Sequence, residues 1–166
     1  MYNVGDLVIN SSHGICQIDN ICEKTYSGTT RTYYVMHPVE DDQLTISIPV
    51  DNKKGIIQSI ISRDIAEEIL QTFKNPGINW VEKSHDRNKM YADIVKTGDR
   101  YEVAKVINTL LRKKHDVEQS GKKLGESEKQ LLLSTKTILF RELSISLETP
   151  LEVIIDEIHT MMEIED

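Results

Sequence analysis

The chain contains a single tryptophan, Trp80, and the residues around it are the ones most suited to molecular recognition. On a helical projection Lys83, Ser84 and Arg87 share its side, while Glu82 and Asp86 point elsewhere. An aromatic ring flanked by cations suits contact with a base edge or an unstacked base. Tyr91 and Ile94 fall on nearly the same azimuth, so the ring equally extends a core stripe, and periodicity alone favours that alternative. Two further basic clusters, Arg112-Lys113-Lys114 and Lys122-Lys123, suit phosphate contact. Their plainer role is to complement a helix dipole or to sit solvated in a loop.

Catalytic and metal chemistry find little support. No G-x-S-x-G, H-E-x-x-H or phosphate-loop pattern occurs, and the spacing of Gly121 and Gly125 is wrong for a phosphate loop. The histidines at 13, 37, 85, 115 and 159 are scattered, with no pair at i, i+4. His13, Cys16 and Cys22 offer three soft ligands but no fourth. On one extended strand the two thiols stand ~20 Å apart, too far for a shared ion or a disulfide. Strand parity puts both on one face, as small apolar fillers. The expectation is a non-enzymatic protein with no metal, no cofactor and no small-molecule substrate.

These residues are distributed over 166 positions with a formal net charge of −7, 39% hydrophobic and 28% charged. That size supports one domain, or two small ones sharing an interface. Charge is partitioned along the chain. Residues 1–72 carry 5 basic and 10 acidic side chains, residues 73–147 carry 15 and 10, and residues 148–166 carry 7 acidic and none basic. The basic middle keeps nucleic acid open as a partner that the whole-chain charge would exclude. No apolar run approaches a membrane span, and the first residues lack a secretory pattern, so a cytoplasmic protein with no membrane partner is expected.

The first fifty residues predict strands. Val4 with Leu7-Val8-Ile9 stops at the turn cluster Asn10–Gly14, and Ile15, Cys16, Ile18 and Ile21 run on to Ser27-Gly28. Tyr33–Met36 forms a third run, and Leu44–Ile48 alternates before Pro49. Closely spaced short strands of this kind predict a small barrel. From Ser62 the period becomes helical, with Ile65, Ile69, Leu70 and Phe73 on one stripe up to Asn75-Pro76-Gly77. A second helix is expected from near Asn79, capped by Glu82, and a third from Asp99 with Glu102, its seam Val103, Val106, Ile107, Leu110 and Leu111. A long fourth helix after Gly125 turns Leu131, Leu132, Ile138, Leu139 and Leu143 inward. Thr149-Pro150-Leu151-Glu152 predicts a capped start for the last helix, which runs to near Ile164. The expected architecture is α+β, with a β-rich module over 1–60 and an all-α domain over 61–166.

In this order the motifs resemble the CarD/CdnL transcription regulators of bacteria, whose N-terminal module is shared with the transcription-repair coupling factor. The likeness covers Val4-Gly5-Asp6-Leu7-Val8-Ile9 with His13-Gly14, then Tyr33-Tyr34-Val35-Met36, then Leu44 through Asn52. It continues in Asn79-Trp80, Gly98-Asp99, Val103-Ala104-Lys105-Val106 and Gly125-Glu126-Ser127-Glu128-Lys129. The resemblance implies a Tudor-like β-module that docks on the RNA polymerase β subunit, and a helical domain that contacts promoter DNA. It implies that Trp80 wedges at the upstream edge of the melted promoter and stabilises the open complex. The polymerase contact would fall to Lys24, Leu44, Thr45, Ile46, Ser47, Ile48 and Pro49, through an exposed strand edge. The DNA contact would fall to Trp80, Lys83, Arg87, Arg112, Lys113, Lys122 and Lys123. Departures are also visible. Asn10-Ser11-Ser12 stands where the family often has Tyr-Pro, Cys16 replaces a common Gly, and Ser47 occupies a position basic in some members, with Lys24 as the compensating cation. The alternative is a Tudor-like interaction module on a helical bundle, with no DNA role.

Overall fold

The computed structural model describes residues 1–51 and 56–164; Asn52, the last residue of the fourth-strand motif, lies outside them. The chain divides into two compact units, residues 1–60 and 61–166. The first is an antiparallel sheet of five strands: β1 (Leu7–Asn10), β2 (Gly14–Tyr26), β3 (Thr29–Pro38), β4 (Ile46–Pro49) and β5 (Ile57–Ser59). The spatial order is β4-β3-β2-β1-β5, so β4 and β5 are its edges. Val8, Cys16, Ile18, Tyr34, Met36 and Ile48 form one core, against which Ile57 of the opposite edge also packs. Both edges thus face the same core, and the sheet is curled, consistent with a Tudor-like module.

The β2–β3 hairpin turns at Ser27-Gly28, both at positive φ (51° and 79°), the geometry that a two-residue hairpin loop needs. A bulge interrupts the register between Ile18 and Asn20. It reverses side-chain parity, so Cys16 is buried in the core while Cys22, opposite Tyr33, is half-exposed. The expectation of two thiols on one face therefore fails. Asp19, within the bulge, accepts from His37 Nδ1 at 2.7 Å. β4 begins at Ile46, two residues later than the alternating pattern suggests.

The second unit holds five helices: α1 (Arg63–Thr72), α2 (Ser84–Lys96), α3 (Arg100–Gln119), α4 (Glu126–Ser146) and α5 (Leu151–Met162). Ser62 caps α1 by accepting from the Ile65 N–H, and Asp99 caps α3 by accepting from Tyr101 and Glu102. The α3 seam is buried as expected, packed with Ile69 of α1 and Phe73 at its C-cap, Leu139 and Leu143 of α4, and Ile154 and Ile158 of α5. On α1 the buried stripe uses Ala66 where Ile65 was expected; Ile65 is 38% exposed.

Two helix starts differ from expectation. α2 begins at Ser84 with Lys83 at its cap position and no side-chain cap bond, so Glu82 caps nothing. The carbonyls of Ile78, Asn79, Val81 and Glu82 are taken by side chains from elsewhere, which keeps this stretch out of the helix. α5 has Pro150 at its cap position. Thr149 instead closes α4, donating its N–H to Ser144 and accepting from the Ser144 hydroxyl through its carbonyl.

Buried charge links the helices. Glu142, 1% exposed, accepts from the backbone N–H of Ile61 and from Arg100 Nε. Glu128 of α4 accepts from Arg87 of α2. No helix among the described residues is long and apolar enough to cross a membrane.

Candidate functional site

Trp80 sits on an irregular loop, residues 74–83, between α1 and α2. Side chains from α3 hold the front of this loop. Asn108 Nδ2 donates to the Asn75 carbonyl at 2.8 Å, and Thr109 Oγ1 donates to the Ile78 carbonyl at 2.8 Å. Gly77 lets the loop lie close on α3, since a Cβ there would come within 2.6 Å of the Lys105 carbonyl oxygen. Behind Trp80, the Tyr91 hydroxyl donates to the Asn79 carbonyl at 2.8 Å, while Arg87 Nη1 donates to the carbonyls of Val81 and Glu82 at 2.8 and 3.1 Å. Loop carbonyls on both sides of Trp80 are therefore bonded to the helical scaffold.

The ring itself is half-buried and packs on the edge of the helical core. It meets Tyr91 edge to face, with centroids 6.4 Å apart. The Arg87 guanidinium lies 4.1 Å from its centroid, and Lys113 Nζ lies 4.9 Å from it. Both alternatives read from periodicity hold in part, because the ring touches the core and also carries two cations. Burial raises the Tyr91 phenol above its ordinary range, offset in part by a hydrogen bond with the Val81 backbone and by the Arg87 charge.

The candidate cations separate into two groups. Arg87 is 8% exposed; its Nε donates to Glu128 at 2.9 Å, and a terminal nitrogen bonds the same carboxylate. Its fork is committed to Glu128 and the loop. Arg112 is similarly turned inward, with Nε on Asn108 at 2.7 Å and Nη2 on the Phe73 carbonyl at 3.1 Å, closing the end of α1. Lys114 pairs with Glu118 at 3.1 Å. Lys83, at the cap of α2, and Lys122 and Lys123, in the α3–α4 loop, are exposed. The structure thus unites Trp80, Arg87 and Lys113, and leaves Lys83, Lys122 and Lys123 as solvent-facing cations.

Glu128, buried at 4%, is the residue of this cluster that sequence patterning passes over. A carboxylate in the first turn of a helix is ordinary on the surface, and its pairing with Arg87 spans 41 positions. Gly125 offers the one signal: a Cβ there would collide with the Glu128 carboxylate.

In the first unit, β4 bonds to β3 alone among the described strands. Val50 N–H donates to the Thr32 carbonyl, so residues of its parity face β3, and the backbone groups of Ser47 and Thr45 point to the open edge. Lys24 Nζ donates to Ser47 Oγ at 2.7 Å. Leu44 and Thr45 are exposed, and Ser47, Ile46 and Pro49 are half-buried. Ile48 is a core residue, and Ile46 packs on the same core while staying half-buried. No group of three or more potential metal ligands occurs among the described residues.

Comparison with known proteins matches residues 2–61 to the CarD-like/TRCF RID domain, and residues 68–159 to the CarD C-terminal domain. A Bacillus subtilis (strain 168) protein described as "Putative transcription factor YdeB" is 27% identical over 146 residues, which is 87% of this chain and 92% of that protein.

Proposed function

The chain belongs to the CarD family of transcription factors, and from that premise we propose that it binds RNA polymerase and promoter DNA together. In this reading the N-terminal sheet docks on the polymerase β subunit along the open edge of β4, by strand addition at Thr45 and Ser47. The helical unit contacts promoter DNA at the upstream edge of the bubble. Trp80 is the wedge there, with Lys83, Lys113, Lys122 and Lys123 as the cations facing phosphate.

The observation that carries this reading is Trp80 itself: a half-buried aromatic on a loop bonded on both sides, with two cations at its ring. A wedge fixed in this way favours already unstacked DNA over intact duplex by up to a few kcal/mol, and so shifts melting toward the open state. Few exposed cations suffice when the polymerase supplies most of the affinity and raises the local concentration.

Trp80→Ala tests the proposal. The expected result is retained co-elution with the polymerase and a shortened open-complex lifetime on a responsive promoter. An unchanged lifetime would favour the second reading, an interaction module without a DNA role. The edge-to-face packing of Trp80 on Tyr91 is the observation on that side.

A further inference from the structure

We propose that the Arg87–Glu128 pair is a positioning device for Trp80, setting the orientation in which the ring is offered; this rests on the promoter-contact reading above. A buried ion pair contributes little net stability compared with apolar side chains of the same volume, so stability alone does not explain this one. Arg87 does what no apolar residue can. One planar fork holds the Val81 and Glu82 carbonyls, lies over the indole, and is itself oriented by a carboxylate from α4. Gly125, with no side chain, leaves the space that the Glu128 carboxylate occupies. The loop around Trp80 has no ladder of its own; on the α2 side Tyr91 holds the Asn79 carbonyl before the ring, and Arg87 holds the two carbonyls that follow it. Lys113 touches the ring from α3 and is the second cation, not the anchor.

The test uses the full chain carrying R87M and E128M together, so that neither charge is left buried and unpaired. Because the chain has one tryptophan, its emission reports this site alone. The expected result is a cooperative melt with red-shifted emission and a roughly twofold rise in acrylamide quenching as the ring loses its cover. K113M, which leaves the loop tied, should move both signals less. A folded double variant with unchanged emission and quenching overturns the proposal. If the double variant does not fold, R87K takes its place: it keeps the charge pair but cannot hold both carbonyls, and unchanged emission there overturns it equally. Open-complex lifetime separates the two layers. Altered emission with a lifetime insensitive to W80A and to R87M/E128M upholds the positioning role and removes the promoter reading.

Discussion

Lys24 and Ser47 meet on the outer face of the N-terminal sheet, Nζ to Oγ at 2.7 Å, although one lies on β2 and the other on β4. Two strand spacings separate those strands by about 10 Å, a span that a lysine reaching over β3 toward a serine can close. The ammonium group is thereby delivered to the β4 position of Ser47.

In the proposed docking mode, Lys24→Ala should weaken retention of the protein on RNA polymerase by about 3- to 10-fold, mostly through association rate and salt dependence. The double variant K24A/S47K returns the ammonium to β4 directly and should recover most of that loss. Equal retention of wild type and K24A in a pull-down at matched salt would remove Lys24 from the interface.

A second prediction concerns the exposed cations. Replacing Lys122 and Lys123 with Ala should flatten the log–log salt dependence of promoter binding by ~0.9 for each phosphate that is no longer neutralised, with Lys83→Ala acting in the same direction. Arg112→Met should leave the slope unchanged while lowering the melting temperature, since its Nε and Nη2 serve Asn108 and the Phe73 carbonyl. The slope is read from titrations at several salt concentrations. A slope that is flat for R112M and unmoved for K122A/K123A would reverse the division between structural and DNA-facing cations.

Much of this molecule was legible from local pattern. The Asp99 cap, the Val103–Leu111 seam and the first three strands depend on neighbours within a few residues, where periodicity and capping chemistry act. What escaped was set by partners distant in the chain. The Asn79–Lys83 stretch has the composition of a helix start, but Tyr91 and Arg87 capture its carbonyls. Glu128 and Glu142 look like surface carboxylates because acidic residues are seldom buried, and partners distant in the chain, Arg87 for one and Arg100 with the Ile61 N–H for the other, make burial tolerable. Cys22 left the core because a bulge at Asp19 reversed parity, and a single inserted residue carries no reliable sequence mark. Trp80 stands out by type and neighbourhood, and patterning puts Arg87 and Tyr91 on its side; Glu128, which orients Arg87 from 41 positions away, is what patterning does not show.

Cys16 predicts alkaline sensitivity in the N-terminal unit. Burial pushes its thiol up to about 11 from an ordinary 9.0. The folded state therefore holds a proton that the unfolded chain releases at lower pH. Stability is full below pH ~9 and falls as pH rises through about 11, by about 1.4 kcal/mol per pH unit at full slope. Denaturant melts across that window should show the loss. Cys16→Ala should start about 1 kcal/mol less stable at neutral pH but decline less steeply. A decline as steep in C16A as in wild type would assign the effect to another group, and C22A serves as the control.

Gly77 is the position where one methyl group should disturb both the fold and the site. A Cβ there would lie 2.6 Å from the Lys105 carbonyl oxygen and 2.9 Å from the Thr109 nitrogen, and would also meet Thr109 Oγ1. Two of these three atoms belong to the α3 backbone, so no rotamer change relieves the overlap, and the loop must lift. Lifting it breaks the Thr109–Ile78 bond and shifts the residues leading directly into Trp80. Gly77→Ala should cost about 1–3 kcal/mol. In a unit of this size that lowers the melting temperature by roughly 5–15 °C. Because the displaced segment carries the only tryptophan, its emission should move together with stability. A lowered melting temperature with unchanged emission would mean that the loop yields at Pro76–Ile78 without reaching the ring. Trp80 would then owe its position to Arg87 and Tyr91 alone.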